Sequence, residues 1–221
     1  DVIKIGVFEP LTGMNGGGGL QELGGIEYEN EVYPEVLGKK IQLVVVDNKS
    51  DKGEATTAVT RLIEKDKVVA IIGSYGSAVS IAAGDIIKNA QIPAMGASCT
   101  NPMVTQGNEF YFRACFLDPF QGKVMATYAI EQGAKTAAVI MQNGDDYSVG
   151  LANFFIDAFK NLTGDENSIV DVSEFQLNES DFNAILTNIK AKNPDVIFAP
   201  SAATTARLII TQARDLGIDA L

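Results

Sequence analysis

Short apolar runs alternate with amphipathic stretches along nearly the whole chain, and few folds accommodate that rhythm. Residues 2–8, 41–46, 68–72 and 92–95 read as strands. Between them, helices are expected at residues 20–32, behind an Asp51 cap with Ala55, Ala58, Val59, Leu62 and Ile63 on one face, and from Ser77 as N-cap to about Ala90. The rhythm resumes later, with strands at residues 137–141, 169–175 and 196–199 and helices at 148–162, 181–192 and 204–216. Gly164, Pro194 and Gly217 stand where those helices should stop. Repeated units of this length imply parallel sheets flanked by helices.

Residues 101–118 break the pattern. A loop at 101–107 is followed by a strand-like run at 110–116, then by Asp118 as a cap with Pro119 at the first helical position. The expectation is an α/β protein of two Rossmann-like lobes, residues 1–117 and 118–221, with functional loops at the C-terminal ends of the strands.

Composition removes several function classes. With 28 acidic against 17 basic residues, the formal net charge of −11 repels nucleic acid, whose binding rests on phosphate neutralisation. The chain has no histidine, which rules out Ser-His-Asp and Cys-His catalysis and any His-ligated metal. Two cysteines cannot build a four-thiolate zinc site. No cofactor or metal is expected and the chain reads as a binder; Asp or Lys chemistry is the enzymatic rival. Cys99 and Cys115 could pair in an oxidising space or remain free thiols, the second being favoured. The longest apolar runs, 68–72 and 137–141, are too short to span a bilayer. A strand-like segment follows directly on Asp1, so any signal peptide is expected to have been removed.

The run Gly16, Gly17, Gly18 and Gly19 invites a phosphate-loop reading that fails, because Leu20 and Gln21 follow instead of Lys and Ser or Thr. Pro10 likewise spoils a dinucleotide fingerprint after the first strand. The segment Gly73-Ser74-Tyr75-Gly76-Ser77-Ala78 joins a strand to a helix, where backbone N–H groups can receive a carboxylate. The plainer reading is that Ser77 only caps its helix. Ser98 and Thr100, in the next strand-end loop, would lie beside it, and the two loops suit the carboxylate and ammonium of a zwitterion. In Gln142-Asn143-Gly144-Asp145-Asp146-Tyr147-Ser148, the aspartates offer too few oxygens for a divalent ion. Tyr147 reads either as an amphipathic lid or as a packing residue.

The chain resembles the leucine/isoleucine/valine-binding branch of the type I periplasmic binding proteins, which serve ABC importers. The resemblance rests on motifs in order: Ile3-Lys4-Ile5-Gly6-Val7 with Leu11-Thr12-Gly13, Ile71-Ile72-Gly73, Thr100-Asn101-Pro102 with Val104-Thr105, and Phe112-Arg113. Phe120-Gln121-Gly122, Asp146-Tyr147 with Gly150-Leu151-Ala152, Asp181-Phe182, and Gln212-Ala213-Arg214 with Leu216-Gly217 complete it. It implies carboxylate and ammonium receptors at Ser77, the backbone of Ser98 and Thr100, with Tyr147 as the second lobe's lid. Tyr75, Gly76 and Ala202 complete the candidate ligand-binding set. Gly18 and Ala202 stand where the family often has aromatics, which implies a larger pocket.

The resemblance further implies an extracytoplasmic protein, periplasmic or lipid-anchored, that closes two lobes on an amino acid or similar small carboxylate and presents it to a membrane permease. A ligand-sensing receptor ectodomain of the same fold is the alternative. It also implies that the last strands of the first lobe lie beyond Leu221, leaving an incomplete sheet open to self-association.

Overall fold

The computed structural model describes residues 2–221. Their contacts fall into two compact units, one reaching to Phe116 and the other beginning at Leu117.

In the first unit β1 (Val2–Glu9) is followed by α1 (Gly16–Val32), β2 (Glu35–Val36), β3 (Lys39–Asp47), α2 (Lys52–Glu64), β4 (Ala70–Ile72), α3 (Ser77–Ala90), β5 (Ala94–Gly96), a 3-10 turn (Pro102–Val104) and β6 (Tyr111–Arg113). They form one sheet in the order β2-β3-β1-β4-β5-β6. β2 runs antiparallel to β3 and the other pairings are parallel. β1 registers against β3 from Val2 opposite Lys40 to Glu9 opposite Asp47, so two carboxylates close adjacent strands.

The core of this unit grows from the apolar faces seen in the sequence. Ala55, Ala58, Val59 and Leu62 of α2 and Val79, Ala83 and Ile87 of α3 pack on Phe8, Ile71 and Tyr111. Each fully buried large side chain of this kind contributes roughly 1.5–3 kcal/mol. Asp51 caps α2 by accepting a hydrogen bond from the Glu54 N–H at 2.9 Å.

The second unit contains α4 (Asp118–Glu131), β7 (Ala137–Gln142), α5 (Asp146–Thr163), β8 (Ile169–Phe175), α6 (Asn183–Lys192), β9 (Val196–Phe198) and α7 (Ala203–Asp215). Its parallel sheet has the order β8-β7-β9. β7 is buried along its whole length because helices cover both faces. Phe155 and Phe159 lie in one core layer, Phe175, Phe182, Leu186 and Ile209 in the other. Gly122 lets α4 press on α5: a Cβ there would stand 2.8 Å from the Phe154 and Phe155 backbone.

Three local expectations are corrected, and one feature is added. The helix expected at residues 20–32 starts at Gly16, because the glycines allow its first turn to pass close to the end of β1. A Cβ on Gly19 would meet the Pro10 carbonyl oxygen at 2.0 Å. Ser77 is not an N-cap; Gly76, at φ 99°, holds that position and Ser77 is the first helical residue. Asp118 is likewise inside its helix, with Leu117 at the cap. The hairpin of β2 with β3 went unforeseen, since two residues carry no periodicity. Among the described residues, no helix is long and apolar enough to cross a membrane.

Candidate functional site

The C-terminal ends of β1, β3, β4 and β5 carry the first unit's polar residues, and buried side chains hold them in place. Fully buried Asn48 donates to the Phe8 carbonyl at 3.1 Å and to Ser74 Oγ at 2.8 Å, joining three strand ends. Asp47 accepts from the Leu11 N–H, the Thr12 hydroxyl and the Lys49 N–H. Partial burial alone would raise its carboxyl, but these hydrogen bonds hold it below its ordinary value.

The loop from β4 to α3 is fixed from several sides. Tyr111 donates its hydroxyl to the Gly73 carbonyl at 2.7 Å, and the Tyr75 N–H donates to Glu9 Oε2 at 2.6 Å. The Tyr75 ring lies over Gly18, where any Cβ would stand 2.4 Å from the ring. The space expected from the absence of an aromatic at position 18 is therefore taken by the ring of Tyr75. Gly76 turns the chain and Ser77 opens the helix, its Oγ accepting the Asn101 N–H at 3.1 Å. That bond leaves the Ser77 hydroxyl hydrogen for another acceptor.

Asn101 also connects this loop to the next one, which holds Ser98 and Thr100. Arg113, on β6, clamps it: the guanidinium donates to the carbonyls of Cys99, Asn101 and Pro102 and to Thr105 Oγ1, at 2.7 to 3.2 Å. Thr100 is 6% exposed, and its Oγ1 has no hydrogen-bond partner. Cys99, beneath the loop, is a free thiol pushed up to about 12 by burial, with nearby Cys115 adding to it.

Sequence reasoning missed one pair altogether. Glu9, fully buried at the end of β1, faces Glu22 of α1, which accepts a hydrogen bond from the Ser98 hydroxyl. Burial and then the neighbouring Glu22 carboxylate push Glu9 up to about 9; burial raises Glu22 as well. Two such carboxyls cannot both ionise, so they hold a proton between them. The available signal was an ionisable residue closing an otherwise apolar strand.

In the second unit, Tyr147 lies in the first turn of α5 and Ala202 caps α7, at the ends of β7 and β9 respectively. Ser148 brings these ends together: its Oγ accepts the Gln142 N–H at 2.8 Å and donates to the Pro200 carbonyl at 2.5 Å. Asp145 caps α5 by accepting from the Ser148 N–H at 3.0 Å. A recess of about 540 Å³ lies at the opposite pole, lined by Ala134, Lys190, Asp195 and Gly217 among others. No cluster of acids and cysteines able to hold a metal ion occurs among the described residues.

Comparison with known proteins matches this architecture end to end. An amino acid binding protein of Pseudomonas aeruginosa is 30% identical over 222 residues, covering 99% of this chain and 59% of the relative. Leu/Ile/Val-binding protein homolog 3 of Brucella melitensis is 28% identical, covering 99% of this chain and 60% of its own length. The leucine binding protein LivK of Thermotoga maritima superimposes with a TM-score of 0.93 at 40% identity, covering 99% of this chain and 62% of that one. LivJ of Streptococcus pneumoniae, a branched-chain amino acid transporter substrate binding protein solved with isoleucine, gives 0.90 at 33% identity, covering 100% and 63%. The chain thus spans about 60% of the length of the curated relatives it matches. With the periplasmic binding protein family model matching residues 2–221, and with strand-end loops of this construction, the chain belongs to the periplasmic binding protein family.

Proposed function

We propose that this chain is the ligand-binding portion of an extracytoplasmic solute-binding protein that delivers an amino acid to an ABC importer and catalyses no reaction. The observation that carries this reading is the junction of two loops in the first unit. The N-terminus of α3, with Ser77, is tied through the Asn101 N–H to the loop bearing the buried, partnerless Thr100 hydroxyl. A helix N-terminus with a free hydroxyl hydrogen suits a carboxylate. The Thr100 hydroxyl and the backbone of Ser98 suit an ammonium.

Gly76 admits the carboxylate to the helix end, and the ring of Tyr75 forms an apolar wall. Tyr147 and Ala202 are the second unit's contribution once the protein has closed on its ligand. The relatives support an aliphatic amino acid, since LivK is a leucine binding protein and LivJ was solved with isoleucine. The protein acts outside the cytoplasmic membrane, free or lipid-anchored, and hands its ligand to a permease. The edge of β6, with Phe112 half exposed, offers a surface for self-association.

The test is thermal unfolding of the full-length protein with leucine, isoleucine, valine, phenylalanine and small amides at millimolar concentration. A ligand at about 100 times its Kd adds roughly 2.7 kcal/mol and raises Tm clearly. No shift with any amino acid removes the reading.

A further inference from the structure

The Glu9–Glu22 pair is a junction of four segments of the first unit. Glu9 closes β1 and Glu22 stands in α1. The two carboxyls are hydrogen-bonded to each other, and the Ser74 hydroxyl supports Glu9. Glu9 Oε2 also accepts the Tyr75 N–H at 2.6 Å, and Glu22 Oε1 accepts the Ser98 hydroxyl. Each acid thus holds one of the two loops that carry the candidate ligand residues, Tyr75 to Ser77 on one and Ser98 to Thr100 on the other. The bond between the acids joins the two holds into one chain.

That chain needs a proton. An ionised carboxylate only accepts, so the bond between Glu9 and Glu22 exists while one of them is protonated. With both ionised, a buried contact of like charges takes its place and pushes the two side chains apart. Among the described residues, no lysine or arginine forms an ion pair with either acid to offset this. Arg113, the cation of β6, is engaged with the carbonyls of Cys99, Asn101 and Pro102. The other titratable groups facing the pair are Tyr111 of β6, toward Glu9, and Cys115 just after β6, toward Glu22. Burial raises both first of all, and each is neutral at pH 7.

We propose that Glu9 and Glu22 are positioning residues of the binding site: the proton they share ties the Tyr75 loop to the Ser98 loop, and losing it frees both loops and weakens ligand binding. The inference rests on the amino-acid-binding reading above and adds to it a control of the site by pH. Neither carboxyl needs to touch the ligand. Below the point near 9 at which Glu9 titrates, the tie is intact. One pH unit above that point the tied form falls to about one part in ten, and the apparent affinity falls about tenfold with it.

The experiment is isothermal titration calorimetry of the full-length protein, Glu22→Gln and Glu22→Ala with leucine, isoleucine, valine and phenylalanine, at pH 7 and pH 10. Glutamine keeps an acceptor for the Ser98 hydroxyl and donates an N–H to Glu9, so it holds the tie at both pH values; alanine removes it. The ligand's amine, Tyr111 and Cys115 titrate in all three proteins, so the ratio of affinities isolates the pair. The expected result is that the unsubstituted protein loses about tenfold more affinity than Glu22→Gln between pH 7 and pH 10. At pH 7, Glu22→Ala should bind about tenfold more weakly than the unsubstituted protein, and Glu22→Gln should recover to within about threefold of it. The Glu22→Gln comparison stands whether or not Glu22→Ala folds. Parallel pH profiles for the unsubstituted protein and Glu22→Gln overturn the inference, as does Glu22→Gln binding as weakly as Glu22→Ala at pH 7; both results leave the amino-acid reading intact. Absence of binding to the folded, unsubstituted protein removes that reading and the inference with it.

Discussion

The two units solve the same local problem differently. Each places a serine near the point where a parallel strand passes into a helix, at Ser77 in one and Ser148 in the other. Ser148 spends its hydroxyl completely, accepting from Gln142 and donating to Pro200, so it fastens two strand ends. Ser77 only accepts, from Asn101, and its neighbour Thr100 keeps a buried hydroxyl oxygen without a partner from the chain. Burying such atoms unpaired costs about 1–3 kcal/mol each. A folded chain tolerates that cost where a ligand returns it, which is what the proposed ligand site requires of Thr100.

The largest effect expected is at the scaffold serine. Ser148→Ala removes both bonds and leaves the buried Pro200 carbonyl without this donor, which should destabilise the protein by about 2 kcal/mol. Chemical denaturation of the second unit's transition reads it. A change below about 0.5 kcal/mol would erase the distinction drawn between the units.

The carboxyl pair sharpens the comparison through pH. Glu9 titrates near 9 in the folded chain and near its ordinary 4.5 when unfolded, so between those values the folded state holds the extra proton. Stability from this group is full below about 4.5 and is lost as pH rises toward 9. Glu9→Gln mimics the protonated form and keeps an acceptor for the Tyr75 N–H. Its Tm should exceed that of the unsubstituted protein at pH 8 and converge with it near pH 4.5. Parallel Tm curves across that range would show that Glu9 is ionised in the folded state.

Much of the fold was legible because burial leaves periodic traces. The strand expected at 169–175 is β8 to the residue, and the apolar face of α2 packs as the spacing of Ala55, Ala58, Val59 and Leu62 implied. What failed depended on tertiary contact. The helix can begin at Gly16 because Gly18 and Gly19 carry no Cβ to meet the Tyr75 ring and the Pro10 carbonyl, and Ser77 loses the cap position to Gly76, whose positive φ no hydroxyl could advertise. The family resemblance was legible as motifs in order, and the comparisons bear it out. The chemistry of the site was less so: Arg113 belongs to a family motif, but its role as a clamp on four acceptors appears only once β6 lies beside β5. Glu9 and Glu22 are separated by a glycine-rich turn, and nothing in their spacing announces that they meet.

The smallest effect on stability should come from Thr100→Val, and its smallness is the informative part. The substitution keeps the branched shape and deletes a buried hydroxyl oxygen that has no partner in the chain. Removing a group already desolvated and unpaired should leave the unliganded protein unchanged or more stable by up to about 1 kcal/mol, the opposite sign from Ser148→Ala. Ligand affinity should move the other way, falling about fivefold to tenfold if the hydroxyl meets an ammonium in the bound state. Denaturation without ligand and calorimetry with it test the two halves separately. A loss of stability would mean that Thr100, like Ser148, holds the scaffold together, and the unpaired hydroxyl would cease to mark the ligand's place.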